Sequence, residues 1–133
     1  MPSLFPGLLV YAGFAPLVLR LILGLVFIVH GYPKLFKSLN QTVGFFDSIG
    51  IRPAKFWVFV VGIVEFFGGI ALILGFATQL VALLIAIDML IAIVLVKFKQ
   101  GFVNGYEYDL TLLVIAVSLV FLGAGFYAFD LPL

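Results

Sequence analysis

Polar residues divide this chain into four long apolar runs, at about residues 16–36, 56–77, 78–96 and 108–129. Each comes close to the ~20 residues that a helix needs to cross a ~30 Å hydrocarbon layer. The alternating segments of roughly ten residues that build membrane barrels are absent from the pattern. Backbone groups in lipid must bond within their own segment, which favours helices. The pattern predicts an all-α protein, an integral membrane four-helix bundle, with residues 1–133 forming a single transmembrane domain.

The connections differ in kind. The leading stretch MPSLFPGLLVYAGFA is apolar but broken by Pro2, Pro6, Gly7 and Gly13. It reads either as an interfacial lead-in or as an extension of the first helix kinked at Pro16. Residues 37–55 form a longer polar loop in which Val43, Phe46 and Ile49 recur at near-helical spacing. Gly50 and Pro53 stop that pattern, so a short surface helix is expected at about 41–50. The second and third runs meet at Ala77–Thr78, which leaves room only for a tight antiparallel hairpin. The third connection, KFKQGFVNG, is short and basic. No internal repeat is evident.

Composition sharpens the class. The chain is 65% hydrophobic and 10% charged, where soluble domains average about 45–50% and about 25%. Mean hydropathy is +1.37. A net charge of +1 with no concentrated basic patch excludes a nucleic-acid partner and leaves the lipid bilayer as the surroundings. Cysteine is absent, which excludes disulfides, thiolate metal sites and CxxC electron transfer within the chain. No basic residue precedes Arg20, so the N-terminus does not read as a cleaved signal peptide.

With four spans, the first and third loops share one face. That face holds Lys34, Lys37, Arg52, Lys55, Lys97 and Lys99, whereas the other has only Arg20 and Asp130. The positive-inside rule then places loops one and three in the cytoplasm and both termini outside the cell membrane. Tyr32, Trp57, Tyr106 and Tyr108 on one side, and Tyr11 and Tyr127 on the other, read as interfacial anchors.

The candidate chemistry lies in the ionisable residues within the spans, which are rare and usually face a bundle interior. Glu65 and Asp88 lie at similar distances from the tight turn on adjacent helices. Both are therefore roughly 15–17 Å deep at the helical rise. Insertion of each charge costs roughly 2.5–3.5 kcal/mol, and two carboxylates at one level repel, so at least one is expected to carry a proton. Arg20 lies higher and either reaches down to Glu65 or snorkels to water. Two readings of Glu65 stand. It pairs with Arg20 and joins two helices, or it floors a polar pocket that binds a ligand or handles protons. Asp88 is correspondingly a helix-to-helix hydrogen bond or the second acid of that pocket. The glycines 24, 31, 62, 68, 69 and 75 read as sites of close helix approach.

Toward the loop face, His30 and Lys34 are four apart and share a helix side. Glu107 reads either as the third position of a capping box opened by Asn104, or, with His30 and Lys34, as the mouth of a cavity floored by Glu65. Asp109 complements the dipole of the fourth helix, and Lys97 and Lys99 the C-terminal end of the third. One histidine does not support haem ligation, and no EXXH spacing supports a di-metal site, so neither haem nor metal is expected.

These residues resemble a known family. The run RLILGLVFIVHGYPKLF contains Arg20, Gly24, Phe27, His30, Gly31, Lys34, Leu35 and Phe36 as R-x3-G-x2-F-x2-HG-x2-KLF. EFFGGIALILGFAT, GYEYDL and a late Gly123, Gly125 and Asp130 follow in order. The set is similar to the DoxX family of small four-helix membrane proteins. Gln79 stands where the family often has a basic residue. Asp88 enters on depth alone. The resemblance implies a subunit or accessory of a membrane oxidoreductase complex, with a quinone as ligand and a redox partner subunit. His30, Glu65, Lys34, Asp88, Arg20 and Glu107 are the candidate site residues. The alternative is a non-enzymatic lipid-ligand-binding or assembly-chaperone protein. A third reading, a small transporter or proton channel, requires a homo-oligomer. Whether the chain is itself an enzyme stays open at this level.

Overall fold

A computed structural model describes residues 3–131; Pro2 lies outside them. The described chain is helical without strands. Four helical stretches are long and apolar enough to cross a membrane: Phe14–Lys37, Ala54–Leu74, Thr78–Gln100 and Phe102–Leu122. The regular helices are α1 (Phe14–Tyr32), α2 (Leu39–Ser48), α3 (Ala54–Leu74), α4 (Thr78–Ala92) and α5 (Glu107–Leu122). α2 is the short amphipathic helix between the first two spans.

The leading stretch is a separate 3-10 helix, Pro6–Tyr11, and not an extension of α1. Pro16 falls in the first turn of α1, where its missing N–H costs no intrahelical bond. At the far end of α1, Pro33 removes one donor from the ladder. The chain widens there into a π-helical turn, Pro33–Lys37.

α1 packs mainly on α3, and α4 on α5; α1 also touches α5, and α3 touches α4. The result is an up-down-up-down ring. Lipid offers no hydrophobic drive for helix association, so close backbone approach carries the packing. A Cβ on Gly24 would lie 2.5 Å from the Gly69 carbonyl oxygen, and one on Gly31 would lie 2.5 Å from the Phe66 nitrogen. No side chain fits at either contact. Between the helices lies an apolar core that includes Leu23, Phe27, Leu72, Ile85, Ala116 and Leu119. The many exposed Leu, Ile, Val and Phe side chains on the outer faces are the lipid-facing surface.

α5 ends at Leu122, seven residues before the fourth apolar run does. Gly123 turns the backbone at φ +71°, a conformation that glycine adopts without steric cost. Residues 123–131 then fold back over the tight-turn end of the bundle. Phe126 N–H donates to the Gly13 carbonyl (3.0 Å), and Asp130 N–H to that of Gly75 (2.8 Å).

Arg20 holds this segment down. Its side chain is fully buried. It donates to the carbonyls of Leu72 (3.3 Å), Phe126 (2.9 Å) and Tyr127 (3.0 Å). The reach from Arg20 to Glu65 does not occur, because Nη1 and Nη2 of the guanidinium are engaged by carbonyls of α3 and of the returning tail at its own depth. Asp130 completes the closure by accepting from the N–H groups of Ala77 and Thr78, both at 2.7 Å. It thereby caps the first turn of α4.

Candidate functional site

α3 and α4 touch near their tight turn, where Gly68 lies against Val81 and Ile85. Toward the loop face they enclose a cavity of about 830 Å³. Its walls are chiefly aliphatic, and α2 contributes Thr42, Phe45 and Phe46 to it, with Ile49 just beyond. The near-helical spacing of Phe46 and Ile49 is thus what turns the apolar face of α2 inward. Trp57 and Lys97 lie at the loop-facing end.

One group of the cavity's polar side chains centres on Glu65. Glu65 is 3% exposed. Its Oε2 accepts a hydrogen bond and ion pair from the Lys34 ammonium, which comes from the wide turn after α1. The partner of Glu65 is therefore Lys34 and not Arg20. Asp88, from α4, lines the same cavity. Its Oδ2 is buried and has no hydrogen-bond partner. His30, one turn before Lys34, lies at the cavity edge with its ring 6.3 Å from that of Tyr108.

Of the six candidate residues, the structure brings four around one cavity: His30, Lys34, Glu65 and Asp88. Arg20 lies at the opposite end of the bundle. Glu107 does not line the cavity; its Oε1 accepts from the Asn104 N–H (3.0 Å), but α5 begins at Glu107 itself with Tyr106 before it, so Glu107 is not the third position of a capping box opened by Asn104. Asp109 lines the cavity instead. The signal was present in the sequence, because Asp109 extends the inward stripe Leu112, Ala116, Leu119 back by one turn, whereas Glu107 shares its side with exposed Thr111.

One half-buried ammonium, one buried carboxylate, one carboxyl with a spare acceptor and one imidazole can donate to and accept from a polar head group. Among the described residues, no three His, Asp or Glu side chains converge as metal ligands.

The comparisons with known proteins agree with this architecture. A relative from Bacillus subtilis named "Putative oxidoreductase CatD" is 38% identical over 114 residues, covering 86% of this chain and 83% of that protein. An uncharacterized membrane protein of Mycobacterium tuberculosis, Rv3486, is 31% identical over 125 residues, covering 84% of this chain and 77% of that protein. No solved structure matches. The DoxX family model matches residues 15–98, which include nearly all of α1 and the whole of α2 to α4, and with them His30, Lys34, Glu65 and Asp88. The chain belongs to the DoxX family.

Proposed function

We propose that the chain is a quinone-binding subunit or accessory of a membrane oxidoreductase complex, and that the cavity between α3 and α4 takes the quinone head group. The observation that carries this reading is a cavity of about 830 Å³ whose largely apolar walls also carry four ionisable groups, His30, Lys34, Glu65 and Asp88. That volume falls within the ~300–1,000 Å³ of small-molecule sites, which pair apolar walls with a few orienting polar groups.

The cavity also suits a lipid-soluble ligand. Leu84, Ile87, Ile91 and Leu95 line it and yet are 41–49% exposed on the lipid side of the third span. An isoprenoid tail can leave between α3 and α4 into the bilayer while the ring stays inside. The Lys34 ammonium and the His30 imidazole would donate to quinone carbonyls. The spare oxygen of Asp88 would accept from a quinol hydroxyl. A bound quinone supplies two-electron redox chemistry, and this chain's residues position it and exchange its protons. The electrons pass to or from a partner subunit. The name of the Bacillus relative supports a redox role. The excess of basic residues supports a cytoplasmic loop face.

Thermal unfolding of the purified protein with a short-chain ubiquinone or menaquinone analogue tests the reading. The quinone is expected to raise the melting temperature, and Glu65→Gln and His30→Ala to remove the shift. Absence of a shift with both quinone types overturns it. A shift with fatty acid or phospholipid alone transfers the cavity to the non-enzymatic, lipid-binding reading.

A further inference from the structure

Glu65 also lines a second, smaller space. Beside the large cavity a chamber of about 50 Å³ sits where α1, α3, α4 and α5 meet. Liquid water occupies about 30 Å³ per molecule, so the chamber has room for one or two waters. His30, Glu65, Tyr108 and Asp109 supply polar groups to it, and Phe27, Met89 and Leu112 close it. His30, Glu65, Tyr108 and Asp109 line the large cavity as well, so the two spaces adjoin. Tyr108 and Asp109 stand in the first turn of α5, next to the third loop, and Asp109 is half-buried, so the chamber runs from the loop-face end of the bundle to a carboxylate that is itself almost wholly buried.

The opposite direction is dry. Between Glu65 and the buried Arg20, the bundle is filled by Leu23, Leu72, Ile85, Ala116 and Leu119, each 0% exposed. Beyond them the returning C-terminal segment covers the tight-turn end. A proton on Glu65 therefore has a polar path toward one face of the membrane only.

We infer that the small chamber is a proton-exchange route between the aqueous phase on the loop face and Glu65, with Asp109 and His30 as the groups at its mouth. The step is proton transfer alone. A proton taken up at Asp109 or His30 passes to chamber water, and that water gives a proton to a Glu65 oxygen and returns to its starting state. Nothing is oxidised or reduced. The charged and titratable groups facing Glu65 are His30 and Lys34 from the first span, Asp88 from α4, and Tyr108 and Asp109 from α5. At rest Lys34 is paired with Glu65. Protonation of Glu65 frees the ammonium for a ligand. Under the quinone reading, on which this use of the route rests, protons would be exchanged on the loop side, but the route itself requires no ligand.

Time-resolved infrared spectroscopy on the ligand-free full-length protein in lipid nanodiscs tests the inference. After a jump to acid pH, the carboxylic C=O band that Glu65→Gln removes is followed in time. Asp109→Asn combined with His30→Gln is expected to slow its rise about tenfold or more, in line with the loss of positioned acid–base groups. Asp109→Glu is expected to restore most of the rate. Leu112→Trp, which fills the chamber and removes no titratable group, is expected to slow the rise as well. Unchanged rates in the double variant and in Leu112→Trp overturn the inference, as does a wild-type spectrum with no Glu65 band at any pH. Because no quinone is present, these outcomes are independent of the melting shift that tests the quinone reading.

Discussion

The Lys34 ammonium is bonded to the Glu65 carboxylate across the contact between the first and second spans. The Glu65 side chain is 4% exposed and that of Lys34 24%. Removal of one member of such a buried pair leaves the other uncompensated, at a cost of about 3 kcal/mol. Lys34→Met is therefore expected to destabilise the protein by about that amount, less whatever Glu65 recovers by taking a proton. The double variant Lys34→Met/Glu65→Gln is expected to regain most of the loss. A double-mutant cycle on unfolding free energy in bicelles measures the coupling, and purely additive single effects would contradict a direct pair.

The glycines beside that pair hold it in register. A Cβ at Gly31 would meet the Phe66 backbone nitrogen at 2.5 Å and the Glu65 Cβ at 2.9 Å. Backbone cannot yield as a flexible side chain can. Gly31→Ala is expected to push α1 off α3 and to cost about 1–3 kcal/mol, as overpacking does. Gly44→Ala is the contrasting case, because a Cβ there meets nothing within 4 Å. Its effect on melting is expected to be small or slightly stabilising. A ranking in which both substitutions melt alike would remove close approach as the explanation.

Helix positions were legible from the apolar runs because a membrane span is set by length and composition together. The end of α5 was not. The sequence FLGAGFYAFD stays apolar past Leu122, and hydropathy cannot register that Gly123 reverses the backbone. The same turn explains Arg20. Its acceptors are main-chain carbonyls, two of them in the tail, which have no side-chain signature, so the nearest visible partner in the sequence was an acid. Depth along the helices did place Glu65 and Asp88 together, because helical rise is uniform on two helices joined by a tight turn. It could not place Lys34 on Glu65, since that requires knowing which helices are neighbours around the ring.

Asp130 gives the tight-turn end a pH dependence. Burial raises its carboxyl pKa, but the hydrogen bonds from Thr78 and Ala77 and the nearby Arg20 guanidinium outweigh that and hold it below the usual range. A carboxyl whose folded pKa is depressed stabilises the fold above its unfolded value of about 3.9, and that contribution is lost as pH falls through the folded value. Wild type is thus expected to lose stability on acidification below about pH 4, and Asp130→Ala to show a weaker loss over the same window. At neutral pH the substitution is expected to cost about 1 kcal/mol, as removal of a helix N-cap does. Melting curves of both proteins from pH 7 to pH 3 decide it, and parallel acid profiles would assign the dependence to other groups.

The cavity between α3 and α4 can be filled without touching its polar groups. Val61 lies on the α3 wall and is half-buried, so a larger side chain can enter the space without displacing core. Val61→Trp places an indole in that space, and dispersion attraction between the new ring and the aliphatic walls offsets the strain of fitting it. Because the indole enters open space and not packed core, the variant is expected to cost less than the ~3 kcal/mol at the upper end of overpacking. Its quinone-induced shift is expected to disappear, while the Lys34–Glu65 coupling energy stays as in wild type. Loss of the shift together with loss of that coupling would mean that the substitution has disturbed the α1–α3 contact instead. A preserved shift would place the quinone ring away from the α3 wall at Val61, because the indole excludes a ring from that wall while taking only part of the cavity of about 830 Å³.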